Sequence, residues 1–207
     1  MTTLCFIHGW GFSAEFWQPL AQALEDVPSL AVDLGHVAPP HQPALPPGPV
    51  VAVGHSLGFA WALRRRRDFA GLVAINGFAR FTAAPDFPQG VPPRLLERMI
   101  SRFADHPCAV YTDFMRRCGI DEPDCTGLRP DALEAGLRFL GSVDEREALA
   151  DLPLLALAGG QDPILPEAMN RATFERVEIA ADGGHLLPLT HTQWCAAHIR
   201  AFLGKLA

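Results

Sequence analysis

The chain has 207 residues, of which 49% are apolar and 19% charged, and its formal net charge is −6. That balance belongs to a globular enzyme with one large core, not to a disordered chain. The acidic total speaks against a broad nucleic-acid surface, and no stretch approaches the roughly 18 apolar residues of a membrane-spanning helix. The opening Met1-Thr2-Thr3-Leu4 lacks the basic region and cleavage site of a signal peptide, so a cytoplasmic location is expected. Cys5, Cys108, Cys118, Cys125 and Cys195 are odd in number and form no C-x-x-C pair, which favours free buried thiols over a disulfide or a zinc site. No metal and no organic cofactor are implied.

In chain order, Leu4-Cys5-Phe6-Ile7 is a short apolar run entering the turn His8-Gly9-Trp10-Gly11, as a buried strand would. Ser13 is the expected N-cap of a helix carrying Phe16, Trp17, Leu20 and Leu24. Leu30 to Leu34 reads as a second strand. Six prolines between residues 38 and 49 exclude a helix and leave an extended connection. Val50 to Val53 is a third buried strand, followed by Gly54-His55-Ser56-Leu57-Gly58 and a helix through Arg67. The Arg64 to Arg67 run fits the C-terminal end of that helix dipole. Gly71 to Asn76 is a fourth strand. Residues 79–150 then read as helices only, with apolar stripes such as Leu96, Met99, Ile100 and Phe103, and with Ser142 to Glu145 in the form of a capping box. Strands resume at Leu154 to Ala158 and Val177 to Ala180, before a final amphipathic helix through Trp194, Ile199 and Phe202. Apolar strands alternating with helices predict a mostly parallel sheet covered on both faces, with residues 1–78 and 151–207 as the core and residues 79–150 as an inserted helical lid.

The chemistry concentrates at the strand ends. Gly54-His55-Ser56-Leu57-Gly58 matches G-x-S-x-G, in which a tight strand-to-helix turn lifts the serine hydroxyl above the sheet. Flanking glycines are expected because a Cβ on either side would clash with the chain across the turn. Leu57 then has a free helix-terminal N–H for an oxyanion. A serine needs a base, and His185, on a glycine loop after the last strand, is the best placed of the eight histidines. His8 and His55 belong to the two turns and are expected to pack beneath the site; His198 is expected to face solvent, and His36 to lie in a loop without a partner. Asp162 follows a strand through Gly159-Gly160 and is the expected orienting acid, whereas Asp182 is too near His185 in sequence to reach its ring. The turn at Gly9 offers the N–H of Trp10 as second oxyanion donor, with the Trp10 ring either walling the acyl pocket or filling core.

Together these pieces resemble the α/β-hydrolase superfamily, whose triad runs in the order Ser, Asp, His. One branch is closer: the pimeloyl-[acyl-carrier protein] methyl ester esterases of biotin synthesis. His8-Gly9-Trp10-Gly11 with Trp17 looks like that family's HGWG opening, and Gly136-Leu137 through Asp144-Glu145-Arg146 looks like its G-L-x-x-L…D-x-R-x-x-L segment. The resemblance implies a serine carboxylesterase that frees a pimeloyl chain carried on acyl-carrier protein from its methyl ester. It carries over Ser56, Asp162 and His185 as triad, Trp10 and Leu57 as oxyanion donors, and Phe114 as a lid aromatic beside the acyl chain. The arginines that meet the acidic carrier would lie among Arg94, Arg98, Arg102, Arg116 and Arg117. Independently, Arg94, Arg98 and Arg102 are spaced by four and share a helix face, which either attracts such a carrier or is simply solvated. The chain departs from the family where prolines replace the helix after Asp33 and where Phe59 follows the elbow. Alternatives are a general short-chain carboxylesterase, carbon–carbon cleavage or lyase chemistry by the same triad, and a non-catalytic ligand receptor on the same scaffold.

Overall fold

A strand buried along its whole length needs cover on both faces of its sheet. In the computed structural model, which describes residues 2–65, 68–150 and 152–206, two strands meet that condition at every residue: β3 (Val50–His55) and β4 (Gly71–Ile75). With β1 (Thr3–Ile7), β2 (Ser29–Val32), β5 (Leu154–Gly159) and β6 (Glu178–Ala180) they form one parallel sheet in the order β2-β1-β3-β4-β5-β6. All six strands lie where the sequence predicts them. Alternate residues point to opposite faces. Leu4, Phe6, Val51, Val53, Val73 and Ile75 meet α1 (Gln18–Ala23), α7 (Leu187–Thr190) and α8 (Thr192–Leu206) through Leu20, Leu187 and Ile199. Cys5, Ile7, Ala52 and Leu72 meet Phe59 and Leu63 of α2 (Leu57–Arg65).

Between β4 and β5 the chain leaves the sheet and forms α3 (Pro93–Asp105), α4 (Pro107–Cys118) and α5 (Pro130–Ser142); α6 (Glu167–Thr173) follows β5. Each of α3, α4 and α5 opens on a proline, whose missing N–H is no loss in a first turn. A third core cluster, with Leu57, Phe103, Val110, Leu133 and Leu137 around Trp10, joins these helices to the upper end of the sheet. Residues 79–92 are irregular rather than helical, held by isolated bridges such as Thr82 to Val91 and Ala84 to Phe87. Pro85, Pro88 and Pro92 remove the donors a helix would need.

Several local expectations change. Ser13 occupies the N-cap position, as expected, but its side chain makes no capping bond; the N–H of Ala14 donates instead to the Asp33 carboxylate at 2.8 Å. The capping box at Ser142 does not form, because Ser142 remains in the last turn of α5 and its hydroxyl donates back to the Phe139 carbonyl at 3.3 Å. Arg64 reaches across to Glu145 at 2.8 Å and lies over the Phe139 ring, fastening the elbow helix to α5; Arg66 and Arg67 fall outside the described residues. Cys108 and Cys125 are not free: they form a disulfide with Cα atoms 5.7 Å apart. Their separation of 17 residues hides that the loop after α4 folds back on its first turn. Cys5, Cys118 and Cys195 are buried and lie outside any disulfide, as expected, and burial raises the thiols of Cys118 and Cys195 to about 12. Among the described residues no helix is long and apolar enough to cross a membrane.

Candidate active site

Ser56 stands between β3 and α2 with φ of 52°, a left-handed backbone that only a tight turn imposes on a non-glycine residue. The flanking glycines are needed for two different reasons. A Cβ at Gly54 would sit 2.3 Å from the Phe59 Cα across the turn, while one at Gly58 would sit 2.2 Å from the Ile7 carbonyl oxygen of the neighbouring strand. The side chain therefore projects at the upper edge of the sheet, where Ser56 is 6% exposed. Leu57 is the first residue of α2, so its N–H has no intrahelical acceptor.

His185 and Asp162 arrive from the ends of β6 and β5. The Nδ1 of His185 lies 2.7 Å from Asp162 Oδ2, with both side chains wholly buried. The other carboxylate oxygen accepts from the N–H groups of Ile164 (2.7 Å) and Leu165 (3.0 Å), which fixes the carboxylate's rotation. A carboxylate can only accept, so Nδ1 carries the proton and Nε2 keeps its lone pair. That Nε2 is buried and has no hydrogen-bond partner. Asp182 is turned away, 86% exposed and 3.2 Å from His191.

The turn after β1 passes directly over the serine. A Cβ on Gly9 would lie 2.7 Å from His55 Nδ1 and 3.1 Å from the Ser56 Cβ, so only glycine lets the turn come this close. Trp10 follows, 2% exposed, with its indole N–H donating to the Leu133 carbonyl of α5 at 2.8 Å. Phe114 stands edge-on to Trp10 with ring centres 5.0 Å apart, and 6.4 Å from the His185 ring. Trp10, Ser56, Leu57, Phe114 and Leu137 line a largely enclosed apolar cavity of about 110 Å³. It adjoins a groove of about 850 Å³ between α3 and α4, and the two share Leu95, Met99, Phe114 and Arg117.

Arg98, Arg102, Arg116 and Arg117 line that groove, while Arg94 is exposed further along α3. Arg102 is paired with Asp113 at 2.5 Å, and Arg117 donates to the Pro163 carbonyl at 3.0 Å.

Residues the sequence did not single out support these turns. His36, expected to be without a partner, is buried and accepts the Gly11 N–H on Nδ1 at 3.1 Å, bracing the turn that carries Trp10. His8 accepts the Leu34 N–H at 2.9 Å, and Asp33 accepts from Ala14 and Gly35, both at 2.8 Å. The available signal was a strand ending in Asp33 with His36 three residues on, which is too common a pattern to read. His198, expected in solvent, is half-buried against Trp194 with ring centres 4.3 Å apart.

Burial, with nearby His8, pushes His36 down to about 3, and burial with nearby His185 holds His55 well below its ordinary value. Both histidines are therefore neutral in the folded protein while the unfolded chain protonates them near 6.5. A depressed histidine contributes stability that is complete above the unfolded pKa and is lost as pH falls. Unfolding free energy should thus decline from about pH 6.5 towards pH 3, with a limiting slope of about 1.4 kcal/mol per pH unit for each histidine. Urea denaturation at pH 7.5 and pH 5 checks this; the drop should be smaller in His36→Gln, and an equal drop would contradict it.

Comparison with known proteins agrees with this architecture. A model of the alpha/beta hydrolase family matches residues 37–198. The chain is 28% identical over 240 residues to the biotin biosynthesis bifunctional protein BioHC of Cellvibrio japonicus, covering 99% of this chain and 48% of that protein, so it spans about half of that relative's length. It is 29% identical over 234 residues to a pimeloyl-[acyl-carrier protein] methyl ester esterase of Neisseria meningitidis, covering 95% of this chain and 91% of that one. A hydrolase from Oleispira antarctica superposes with a TM-score of 0.83 at 16% identity, over 99% of this chain and 91% of that one, a likeness of fold alone. With a family match over most of its length and the matching six-stranded parallel sheet, the chain belongs to the alpha/beta hydrolase family.

Proposed function

We propose that this α/β esterase hydrolyses the methyl ester of a pimeloyl chain carried by acyl-carrier protein in biotin synthesis, in the cytoplasm. The observation that carries the reading is the adjacency of two spaces: an apolar cavity at Ser56 that shares Leu95, Met99, Phe114 and Arg117 with a groove bordered by arginines. An acyl chain suits the first and an acidic carrier with its pantetheine arm suits the second. Relatives at 28% and 29% identity bear names from that pathway, which supports the same substrate. The helices between β4 and β5 act as a lid over the cavity.

The reaction follows from the geometry. His185 Nε2 takes the Ser56 proton as Oγ attacks the ester carbonyl. The N–H groups of Trp10 and Leu57 hold the resulting oxyanion. His185 then gives that proton to the departing methoxide, which leaves as methanol, and an acyl-enzyme remains on Ser56. Water, deprotonated by the same Nε2, attacks the acyl-enzyme; the acid is released and the proton returns to Ser56. Asp162 keeps the imidazole in the required tautomer throughout.

The test compares kcat/KM for the carrier-bound methyl ester and the same ester free of carrier. Each is run with wild type and with Arg94, Arg98, Arg102, Arg116 and Arg117 changed together to Ala. The carrier should raise kcat/KM by about 10-fold or more, and the five changes should remove that gain. Equal rates on both esters, unmoved by the changes, would make this a general short-chain carboxylesterase.

A further inference from the structure

Three consecutive carbonyls of the loop that carries His185 accept hydrogen bonds from three different parts of the chain. The Gly183 oxygen accepts from the Gln161 N–H at 2.8 Å, in the turn leading to Asp162. The Gly184 oxygen accepts from Asn76 Nδ2 at 2.8 Å, and the His185 oxygen from His55 Nε2 at 2.9 Å. Asn76 and His55 are fully buried, and neither takes part in the chemistry set out above. We propose that Asn76 and His55 are positioning residues that hold the His185 backbone, and with it the imidazole, in register with Ser56 and Asp162; this rests on the reading of those three residues as a triad.

Asn76 follows β4 with φ of 44°, and among the described residues it and Ser56 are the two non-glycine residues in the left-handed region. Asparagine tolerates that backbone better than most side chains, and the conformation is retained where surrounding contacts require it. Here the contacts are explicit. Asn76 Oδ1 accepts the Gly159 N–H at 2.9 Å while Nδ2 donates to the Gly184 oxygen. A carbonyl must face an N–H and an amide must face a carbonyl, so the side chain has one orientation. One residue thereby joins the turn that delivers the acid to the turn that delivers the base. Those turns approach closely: a Cβ on Gly159 would stand 2.3 Å from the Gly184 oxygen.

His55 performs the second hold from the elbow itself. The His185 carbonyl can only accept, so His55 Nε2 carries the proton and its Nδ1 is left buried without a partner. Phenylalanine would fill the space among Phe16, Phe12 and Trp17 without stranding a polar atom. The donor to His185 is what phenylalanine could not supply. Burial holds the ring well below its ordinary pKa, which keeps the unpartnered Nδ1 unprotonated.

The experiment uses hydrolysis of p-nitrophenyl butyrate together with thermal unfolding, on Asn76→Asp, His55→Phe and His55→Gln, with Ser56→Ala in parallel. Asn76→Asp keeps the acceptor for Gly159 but turns a second acceptor on the Gly184 oxygen. It should lower kcat by on the order of 100-fold with KM little changed, because a misplaced base slows proton removal without weakening binding. His55→Phe should lower kcat about 10-fold, and His55→Gln, which restores a donor near the Nε2 position, should recover part of it. Wild-type kcat in folded variants, with only a lower melting temperature, would overturn the proposal, as would a His55→Gln enzyme no faster than His55→Phe. If Asn76→Asp does not fold, the two His55 variants decide alone. An active Ser56→Ala enzyme would instead overturn the triad reading itself, and this proposal with it.

Discussion

Ser56→Ala should lower kcat by about six orders of magnitude, since the loss of a triad nucleophile leaves only the oxyanion donors and binding to act on the ester. The melting temperature should barely move. Alanine keeps the Cβ, so the left-handed backbone at φ of 52° is no more relieved than before, and the bond from the residue's N–H to the Ile75 carbonyl at 3.2 Å is unaffected. The hydroxyl itself lies in a site that is already apolar on most sides, so removing it strands no buried partner. Turnover of p-nitrophenyl butyrate, thermal unfolding and covalent labelling by a fluorophosphonate measure the three consequences. A variant that retained a tenth of wild-type activity, or a wild type that resisted labelling, would show that Ser56 is not the nucleophile.

Asp162→Asn should be the next most damaging, at roughly 10⁴-fold in kcat, and the reason is a matter of which atoms face which. Asp162 Oδ1 must accept from two N–H groups, at Ile164 and Leu165. In the variant only the amide oxygen can do that, which leaves the NH₂ facing His185 Nδ1. That nitrogen would then have to accept, moving the ring proton to Nε2 and removing the lone pair that Ser56 needs. KM should change little, because the carboxylate does not line the cavity. Near-normal kcat in a folded Asp162→Asn enzyme would mean that another group orients the base.

Much of this was legible in the sequence because it rests on local patterns. Six short runs, four of them flanked by glycine, asparagine or proline, match the six strands, and alternation within Leu4 to Ile7 already separates the two faces of the sheet. Ser56 and its glycines form a pattern whose spacing is dictated by one tight turn. Asp162 and His185 could be chosen because each follows a strand through a pair of glycines. What escaped was long-range. Ser13 looks like a cap, but Asp33, 19 residues away from Ala14, takes that place. Ser142 looks like the start of a helix, but packing of Leu137 and Leu140 prolongs the previous one through it. His36 and Asn76 act through partners 25 and 83 residues distant, and no window along a chain reveals such pairs. The same holds for Cys108 and Cys125, two of five cysteines that form no C-x-x-C pair.

That disulfide ties the shape of the groove to its surroundings. In a chain-entropy account, a link closing a loop of 17 residues limits the unfolded chain by about 3 kcal/mol. Cys108 is exposed at the first turn of α4, the helix that also carries Phe114, Arg116 and Arg117. A compartment rich in reduced glutathione opens exposed links of this kind, whereas an oxidising one preserves them. Reduction of the link would release the loop around Cys125 from the first turn of α4, the helix that borders the groove.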